Sequence, residues 1–402
     1  MTEKSRKQTK RFCMVGVTNY FGDARVRGYA EWLVKAGHAV DMISIHSYRS
    51  NKMVEQNGVR VYMVSAPQQK RNRVSYLFDY ALSFLRLCFV LNRLYIKNRY
   101  DIIHVHNMPD FIVFAAILPK LFGSRIILDI HDPMPEAYLS KFPQKEKGFL
   151  YRIIKLEEYL SCQFAHAVIT ANPHFTHNLI QRGIPAARMT TLLNFPDLNF
   201  FNPSKRPAEK TNSGDHFTLI FPGTIAPRYG LDVAIKAMPI LKDKIPNIHL
   251  LIIGYQVDYV NRLVALAEEL GVSDNVEFRP SIANDQVPQQ LVRADVGIYP
   301  ALPDCHMSIA IPGKVLEYAL MGLPILSSRL QIVEEMFDEN SVLFFEPGNA
   351  GQMAQGVLNL YADAQLRETL VRCADDRVAQ MHTWEQEMGR YLDLIGRLYR
   401  RR

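Results

Sequence analysis

Lys314 and Glu317 stand on one turn of a short helical stretch, IPGKVLEYALMGLPILSS (residues 311–328), whose other residues are mostly apolar. At that spacing the two side chains share a helix face. One reading is a surface ion pair. The other, favoured by the apolar surroundings, is a pair pointing into a cleft. Four further groups could do chemistry. DIIHVHNMPD carries His104, His106 and Asn107, and IILDIHDPMPE carries Asp129, His131, Asp132 and Glu136. LIFPGTIAPRYGLD runs from Gly223 and Thr224 to Arg228, and GVTNYFGDARVRGYAEWL carries Gly22 and Asp23. Asp23 suits a helix N-cap, and a helix start is an anion site. Each group also has a plainer role: a hydrogen-bonding histidine, a solvated arginine, or a turn glycine at Gly223 and Gly254. The H-x-H and H-D spacings do not form a zinc pattern, so no metal is expected.

These residues follow short Val- and Ile-rich runs. FCMVGV, AVDMISI, DIIHV, RIILDI and AVIT read as strands buried on both faces, separated by segments of helical period. After the polar stretch 202–215 the alternation restarts with HFTLIFP, IHLLIIG, VEF, DVGIYP and PILSS. Such alternation predicts an α/β protein with two doubly wound parallel sheets, whose ligands bind at the carboxyl ends of the strands. The expected division is 1–201 for the first domain, with 1–10 a disordered tail rather than a signal peptide. It continues with a linker at 202–215, a second domain at 216–381, and a helix at 382–402 crossing back to the first domain. Two such domains predict a cleft between them as the ligand site.

Composition narrows the classes. The 402 residues are 48% hydrophobic and 22% charged with a formal net charge of +7, as in a soluble enzyme with basic character. The basic residues are scattered, with modest clusters at RKQTKR, QQKRNR and RLYRRR, and no nucleic-acid signature accompanies them. Phosphorylated ligands or an anionic membrane surface fit better than nucleic acid. No apolar run reaches a membrane span. Five scattered cysteines without C-x-x-C predict reduced thiols and a cytoplasmic protein, with no disulfide framework. The segment VSYLFDYALSFLRLCFVLNRLYIKN, with Arg73, Arg86, Arg93 and Lys97, is either a core helix with solvated charges or a helix partly inserted at an anionic bilayer.

The ordered set GDARVRGYAEWLVKAGHAV, YDIIHVHNMPD, LDIHDPMPE, AHAVITAN, LLNFPD, FPGTIAPRYGLDVAIKAM, LLIIGYQ, ADVGIYP, PGKVLEYALMGLPILSS and HTWEQE resembles the retaining, nucleotide-sugar-dependent glycosyltransferases of family four, nearly end to end. The resemblance implies the GT-B fold: an N-terminal acceptor domain and a C-terminal nucleotide-sugar domain facing across a cleft. It implies a nucleotide diphosphate sugar as donor and a glycan or polyprenyl-linked acceptor, with bacterial surface polysaccharide synthesis as the expected setting. Glu317 matches the family's ribose-binding glutamate, His131 the histidine near the donor sugar, and Arg228 the pyrophosphate-binding cation. Gly22 and Asp23 match the loop under the donor phosphates and acceptor, with His106 and Asp132 expected nearby. Gly223, Thr224 and Gly254 belong to the nucleotide-sugar loops. Two departures stand out: Ile309 occupies the place of a family glutamate, and Thr224 that of an arginine. Lys314 is expected to join Arg228 in neutralising the leaving diphosphate, and Asp304 or His306 to replace the missing carboxylate at the sugar. Without a D-x-D motif, no metal clamp is implied. Two alternatives stay open: a nucleotide-sugar epimerase of the same fold, and a non-catalytic nucleotide-binding subunit.

Overall fold

The computed structural model describes residues 9–46, 51–65, 73–142, 148–207, 216–255, 258–381 and 383–400, with side chains in the helix that begins at Arg73 described from residue 82 onward. Residues 1–8 of the expected tail, the expected linker from 208 on, the Arg73 side chain and His382 lie outside the described residues. The chain divides into two compact units, Met1–Asn194 with Glu385–Arg402, and Phe195–Trp384.

The first unit holds β1 (Arg11–Gly16), β2 (Ala39–His46), β3 (Lys52–Gln56), β4 (Val59–Ser65), β5 (Ile102–His106), β6 (Arg125–Ile130), β7 (Ala167–Thr170) and β8 (Met189–Thr191). They form one sheet in the order β3-β4-β2-β1-β5-β6-β7-β8, parallel except for the β3–β4 pair. Its helices are α1 (Ala24–Lys35), α2 (Arg73–Asn98), α3 (Ile117–Leu121), α4 (Met134–Lys141), α5 (Phe149–Phe164) and α6 (Pro173–Gln181), with a 3-10 helix at Asp110–Ala116 before α3. β1, β5 and β6 are buried almost throughout, as expected of strands covered on both faces. The β3–β4 hairpin is an addition to the sequence reading. Its signal was Asn57-Gly58, both at positive φ (52° and 79°), the pair that a two-residue hairpin turn demands.

The second unit holds β9 (Phe217–Pro222), β10 (Ile248–Gly254), β11 (Val276–Pro280), β12 (Val296–Tyr299), β13 (Ile325–Ser328) and β14 (Leu343–Phe345), all parallel in the order β11-β10-β9-β12-β13-β14. Between and after them run α7 (Leu231–Lys242), α8 (Asp258–Glu269), α9 (Val287–Leu291), α10 (Gly313–Leu320), α11 (Gln331–Met336), α12 (Ala350–Ala362) and α13 (Ala364–Gln380). The last helix, α14 (Trp384–Arg400), lies almost wholly in the first unit, where Tyr391 is fully buried. Part of the expected linker 202–215 is packed structure. Phe195 and Phe201 enter the second core, and Arg206 forms paired contacts with Asp375 at 2.6 and 2.8 Å and caps α10 through the carbonyls of Ala319 and Leu320.

Among the parallel strands of each sheet the order reverses at one place, beside β1 and β5 in the first and beside β9 and β12 in the second. A doubly wound sheet opens a crevice at such a point, because neighbouring loops depart to opposite faces. Gly22, Asp23 and His106 follow β1 or end β5, and Gly223 follows β9. His131 and Asp132 follow the adjacent β6, and Gly254 ends the adjacent β10.

Candidate functional site

In the first unit the residues singled out above converge on a carboxylate, Asp129. It stands next to last in β6, fully buried, and Arg25 from the first turn of α1 pairs with it through Nη2 to Oδ1 at 3.0 Å and Nε to Oδ2 at 3.2 Å. His106 Nδ1 and His131 Nε2 lie 3.2 and 2.9 Å from the same Oδ2. Burial alone would raise the Asp129 pKa, but Arg25 and His131 outweigh it and hold the carboxylate well below its usual range. Burial likewise pushes His131 down, yet the contact with Asp129 wins and raises it. Burial dominates at His106 and His104, which are lowered and so neutral. His131 is therefore the histidine poised to carry charge. Its side chain is 20% exposed, whereas His104 and His106 are sealed at 0% and 1%, so it alone of the three is accessible from outside.

His104, His106 and Asp129 bring donor atoms within 4.8 Å of one another, a spacing that could hold a metal ion. Their environment does not suit one. Asp129 is already neutralised by Arg25, which would face any added cation, and His104 Nδ1 is 2.8 Å from the Tyr391 hydroxyl of α14. The group reads as a polar core that orients His131. Sequence reasoning missed two of its members. Arg25 is 104 residues from Asp129 and Tyr391 is 287 from His104, so no local spacing signals either contact.

Asp23 caps α1, with Oδ1 accepting from Val26 N at 3.1 Å and Oδ2 from Thr18 Oγ1 at 2.8 Å. Both oxygens hold the loop. A Cβ on Gly22 would meet only ordinary contacts, the nearest 3.6 Å away on Asn19, so packing does not demand glycine there. The loop after β6 is secured by Asn107, which donates to Asp110 Oδ1 (2.9 Å) and to the Asp132 carbonyl (2.8 Å) and accepts from His131 N (2.8 Å).

Asp110 is buried, and that burial, reinforced by Glu157, pushes its carboxyl up to about 8 from the usual 3.8. The native state thus keeps a proton that the unfolded chain releases above 3.8, so stability from this group falls as pH rises between 3.8 and about 8. Asp110→Asn keeps the Asn107 contact with its amide oxygen. Its melting temperature is expected to fall less steeply than that of the unaltered protein from mildly acidic to mildly alkaline pH, as thermal scans across that range would measure.

The second unit builds a cationic corner. Gly223 has φ +135°, and a Cβ there would stand 2.5 Å from Lys314 Cε. A Cβ on Gly254 would stand 2.2 Å from the Gly223 carbonyl oxygen, so the loop after β9 approaches the end of β10 closely only because Gly254 lacks a side chain. Lys314 Nζ lies 4.4 Å from the ring centre of Tyr229 and 5.0 Å from that of Phe221. The Arg228 guanidinium lies 5.4 Å from the Tyr229 ring, and Arg228 Nε is buried without a hydrogen bond. Tyr229 thus gathers both cations. The turn is held by Leu302 N donating to the Arg228 carbonyl at 2.8 Å.

Tyr318 anchors α10 by donating to the Ile298 carbonyl at 3.2 Å while its ring fills the space a side chain on Gly297 would need. Lys314, one turn earlier on the same side of α10, is thereby held against Gly223 at the end of β9. Glu317 is half-buried, and burial lifts its carboxyl to about 7 against the opposing pull of Lys314. Among the described residues its carboxylate takes no hydrogen bond. Thr224 is exposed beside Gly223. Ile309, where a glutamate was expected, follows a turn in which Asp304 Oδ1 accepts from His306 N and Met307 N, both at 2.7 Å. Asp304 therefore shapes this loop, and His306 is buried within it.

The model of the glycosyl transferases group 1 family matches residues 204–377, and that of the glycosyl transferase 4-like domain matches residues 22–194. The chain belongs to the group 1, family-four glycosyltransferases of GT-B fold and is a glycosyltransferase. It is 24% identical over 368 residues to an uncharacterized glycosyltransferase of Methanocaldococcus jannaschii, covering 89% of this chain and 90% of that one. It is 22% identical to the gpi3 subunit of phosphatidylinositol N-acetylglucosaminyltransferase of Schizosaccharomyces pombe, covering 88% and 72%. Among solved structures, sucrose-phosphate synthase from Thermosynechococcus elongatus superposes with a TM-score of 0.76 at 17% identity, covering 98% of this chain and 100% of that one. Anabaena Alr3699/HepE in complex with UDP and glucose does so at 0.71 and 15% identity, covering 96% and 99%.

Proposed function

We propose that the enzyme transfers a sugar, with retention of anomeric configuration, from a nucleotide diphosphate sugar bound by the second unit. The acceptor is a glycan or a polyprenyl-linked lipid, and the setting is bacterial surface polysaccharide synthesis at the cytoplasmic side of an anionic membrane. The observation that carries this reading is the corner where Lys314 and Arg228 flank Tyr229 over Gly223, with Glu317 one turn along α10. Two cations suit a diphosphate. A half-buried carboxylate that takes no hydrogen bond among the described residues suits the vicinal hydroxyls of a ribose.

The bond from the anomeric carbon to the phosphate oxygen breaks, and the diphosphate collects the electron pair. Lys314, Arg228 and the positive end of the α10 dipole stabilise that charge without rearrangement. The acceptor oxygen bonds to the same face of the anomeric carbon, and its proton passes to the departing phosphate oxygen. This route asks for no nucleophilic carboxylate, in keeping with Asp23 and Asp129, whose oxygens are all engaged. A sugar-contacting role falls to His131 in the first unit, whose Nε2 Asp129 holds. Gly22, His106 and Asp132 shape the acceptor side of the first unit. Thr224 and Gly254 line the nucleotide-sugar side of the second. No metal has a step in this scheme.

The test is thermal unfolding with UDP, GDP, dTDP, ADP and CDP in turn. A ligand at about 100 times its dissociation constant adds about 2.7 kcal/mol of stability. We expect one nucleotide to stabilise the protein and Arg228→Ala to lose that gain. Ile309 and Thr224 favour a second reading, a non-catalytic nucleotide-binding subunit. It predicts the same stabilisation but no sugar transfer to any acceptor.

A further inference from the structure

Helix α5 is built inside out. Its buried residues are Glu158, Ser161 and Cys162, with Glu157 half-buried beside them. Glu158 pairs with Arg182 at 2.6 Å, and Glu157 accepts from Ser161 at 3.1 Å. The opposite face exposes Phe149, Leu150, Ile153, Leu156, Tyr159 and Leu160, with Phe149 at 79% and Leu156 at 57%. A helix of a water-soluble surface orders these faces the other way.

The same layer of the first unit repeats the pattern. α2 exposes Leu85, Phe89 and Ile96, α3 exposes Ile117 and Leu121, and Phe122 just after it is exposed as well. These helices cover one side of the sheet together. Phe84 of α2 meets Phe111 of the intervening 3-10 helix with ring centres 5.5 Å apart, and Phe114 of that helix meets Phe164 of α5 at 5.2 Å. Lys120 of α3 donates to the Phe164 carbonyl at 2.5 Å. Among the described residues, more than half of the exposed large apolar side chains stand on this layer.

Its charge has one sign. Arg86, Arg93 and Lys97 on α2 and Arg152 and Lys155 on α5 are exposed, while the described parts of the three helices carry no exposed acid. The acids of α5 turn inward. A second copy meeting this face across a two-fold axis would bring like charges together. An interfacial bilayer site needs what is present: apolar side chains to enter the acyl boundary and cations to meet anionic headgroups.

We infer that the α2–α3–α5 face is a docking surface for an anionic lipid bilayer, with α5 lying in the interface and its apolar face immersed. Among the described residues no helix is long and apolar enough to cross a membrane, so the contact is peripheral. The inference specifies the membrane part of the proposed function and rests on that reading. Its test uses no sugar transfer, so the two can fail separately.

The experiment is flotation of the full chain with vesicles of phosphatidylcholine alone or mixed with phosphatidylglycerol, alongside sedimentation equilibrium without lipid. The unaltered protein is expected to float with the phosphatidylglycerol vesicles, less with phosphatidylcholine, and to be released as salt rises. Phe149→Glu with Leu156→Glu should lower the partition coefficient about tenfold or more, and Arg152→Glu or Lys155→Glu each about fivefold or more. Both sets alter exposed side chains, and an unchanged melting temperature without lipid verifies that they fold. Absence of flotation with phosphatidylglycerol, or equal flotation of the variants, overturns the inference. So does a lipid-free dimer that the double variant dissociates, because that face would then join two copies.

Discussion

Lys314→Ala is expected to lower kcat/KM about 10²–10³-fold, some ~2.7–4 kcal/mol of transition-state stabilisation, with the donor whose nucleotide stabilises the protein. The size follows from the site. Lys314 Nζ stands over Tyr229 and Phe221, in space that Gly223 leaves open, so its ammonium is held before substrate arrives. A preorganised cation beside a leaving diphosphate stabilises the transition state more than the ground state, because the charge on the bridging oxygen grows as the bond breaks. The loss should therefore appear in kcat as well as in KM. Lys314→Arg should rescue little, since the bulkier guanidinium must occupy the gap over Gly223. Steady-state kinetics on both variants checks this. A tenfold rise in KM with kcat unchanged would reduce Lys314 to a substrate-binding residue.

Arg25→Ala should destabilise the protein by about 3–5 kcal/mol, the usual cost of leaving a buried carboxylate without its partner. Asp129 is 0% exposed and Arg25 5%, and the guanidinium also donates to the Leu192 carbonyl at 3.1 Å. Without Arg25 the carboxylate would have two imidazoles and no permanent cation. It would gain protons from His106 or His131, or take one itself. Adding Asp129→Asn to Arg25→Ala removes the stranded charge, so the double variant should be more stable than Arg25→Ala alone. Urea unfolding of the three proteins measures both quantities. A loss under about 1 kcal/mol for Arg25→Ala would show that water reaches Asp129 and that the pair behaves like an exposed one.

Much of the architecture was legible in the chain. Val- and Ile-rich runs bounded by turn residues mark strands that must be buried on both sides, and the polar residues just after them fall at the strand ends where doubly wound sheets bind ligands. Lys314 and Glu317 could be read as a pair because a helix repeats every 3.6 residues, a local property. What was misjudged was also local in origin. The Asn57-Gly58 hairpin was passed over although its turn signal is strong, and residues 202–207 read as linker although Arg206 ties them to α10 and Asp375.

Tertiary structure alone decided the rest. Nothing along the chain pairs Arg25 with Asp129 or His104 with Tyr391, since each contact depends on how separate strands and helices stack. Nothing along it shows that Tyr229 stands between Lys314 and Arg228. The orientation of α5 is the sharpest case. Periodicity in a sequence reports that a helix has two unlike faces, but which face turns inward depends on what the neighbouring elements offer. Here Arg182 offers a buried partner for Glu158, and that contact leaves the apolar face of α5 outside.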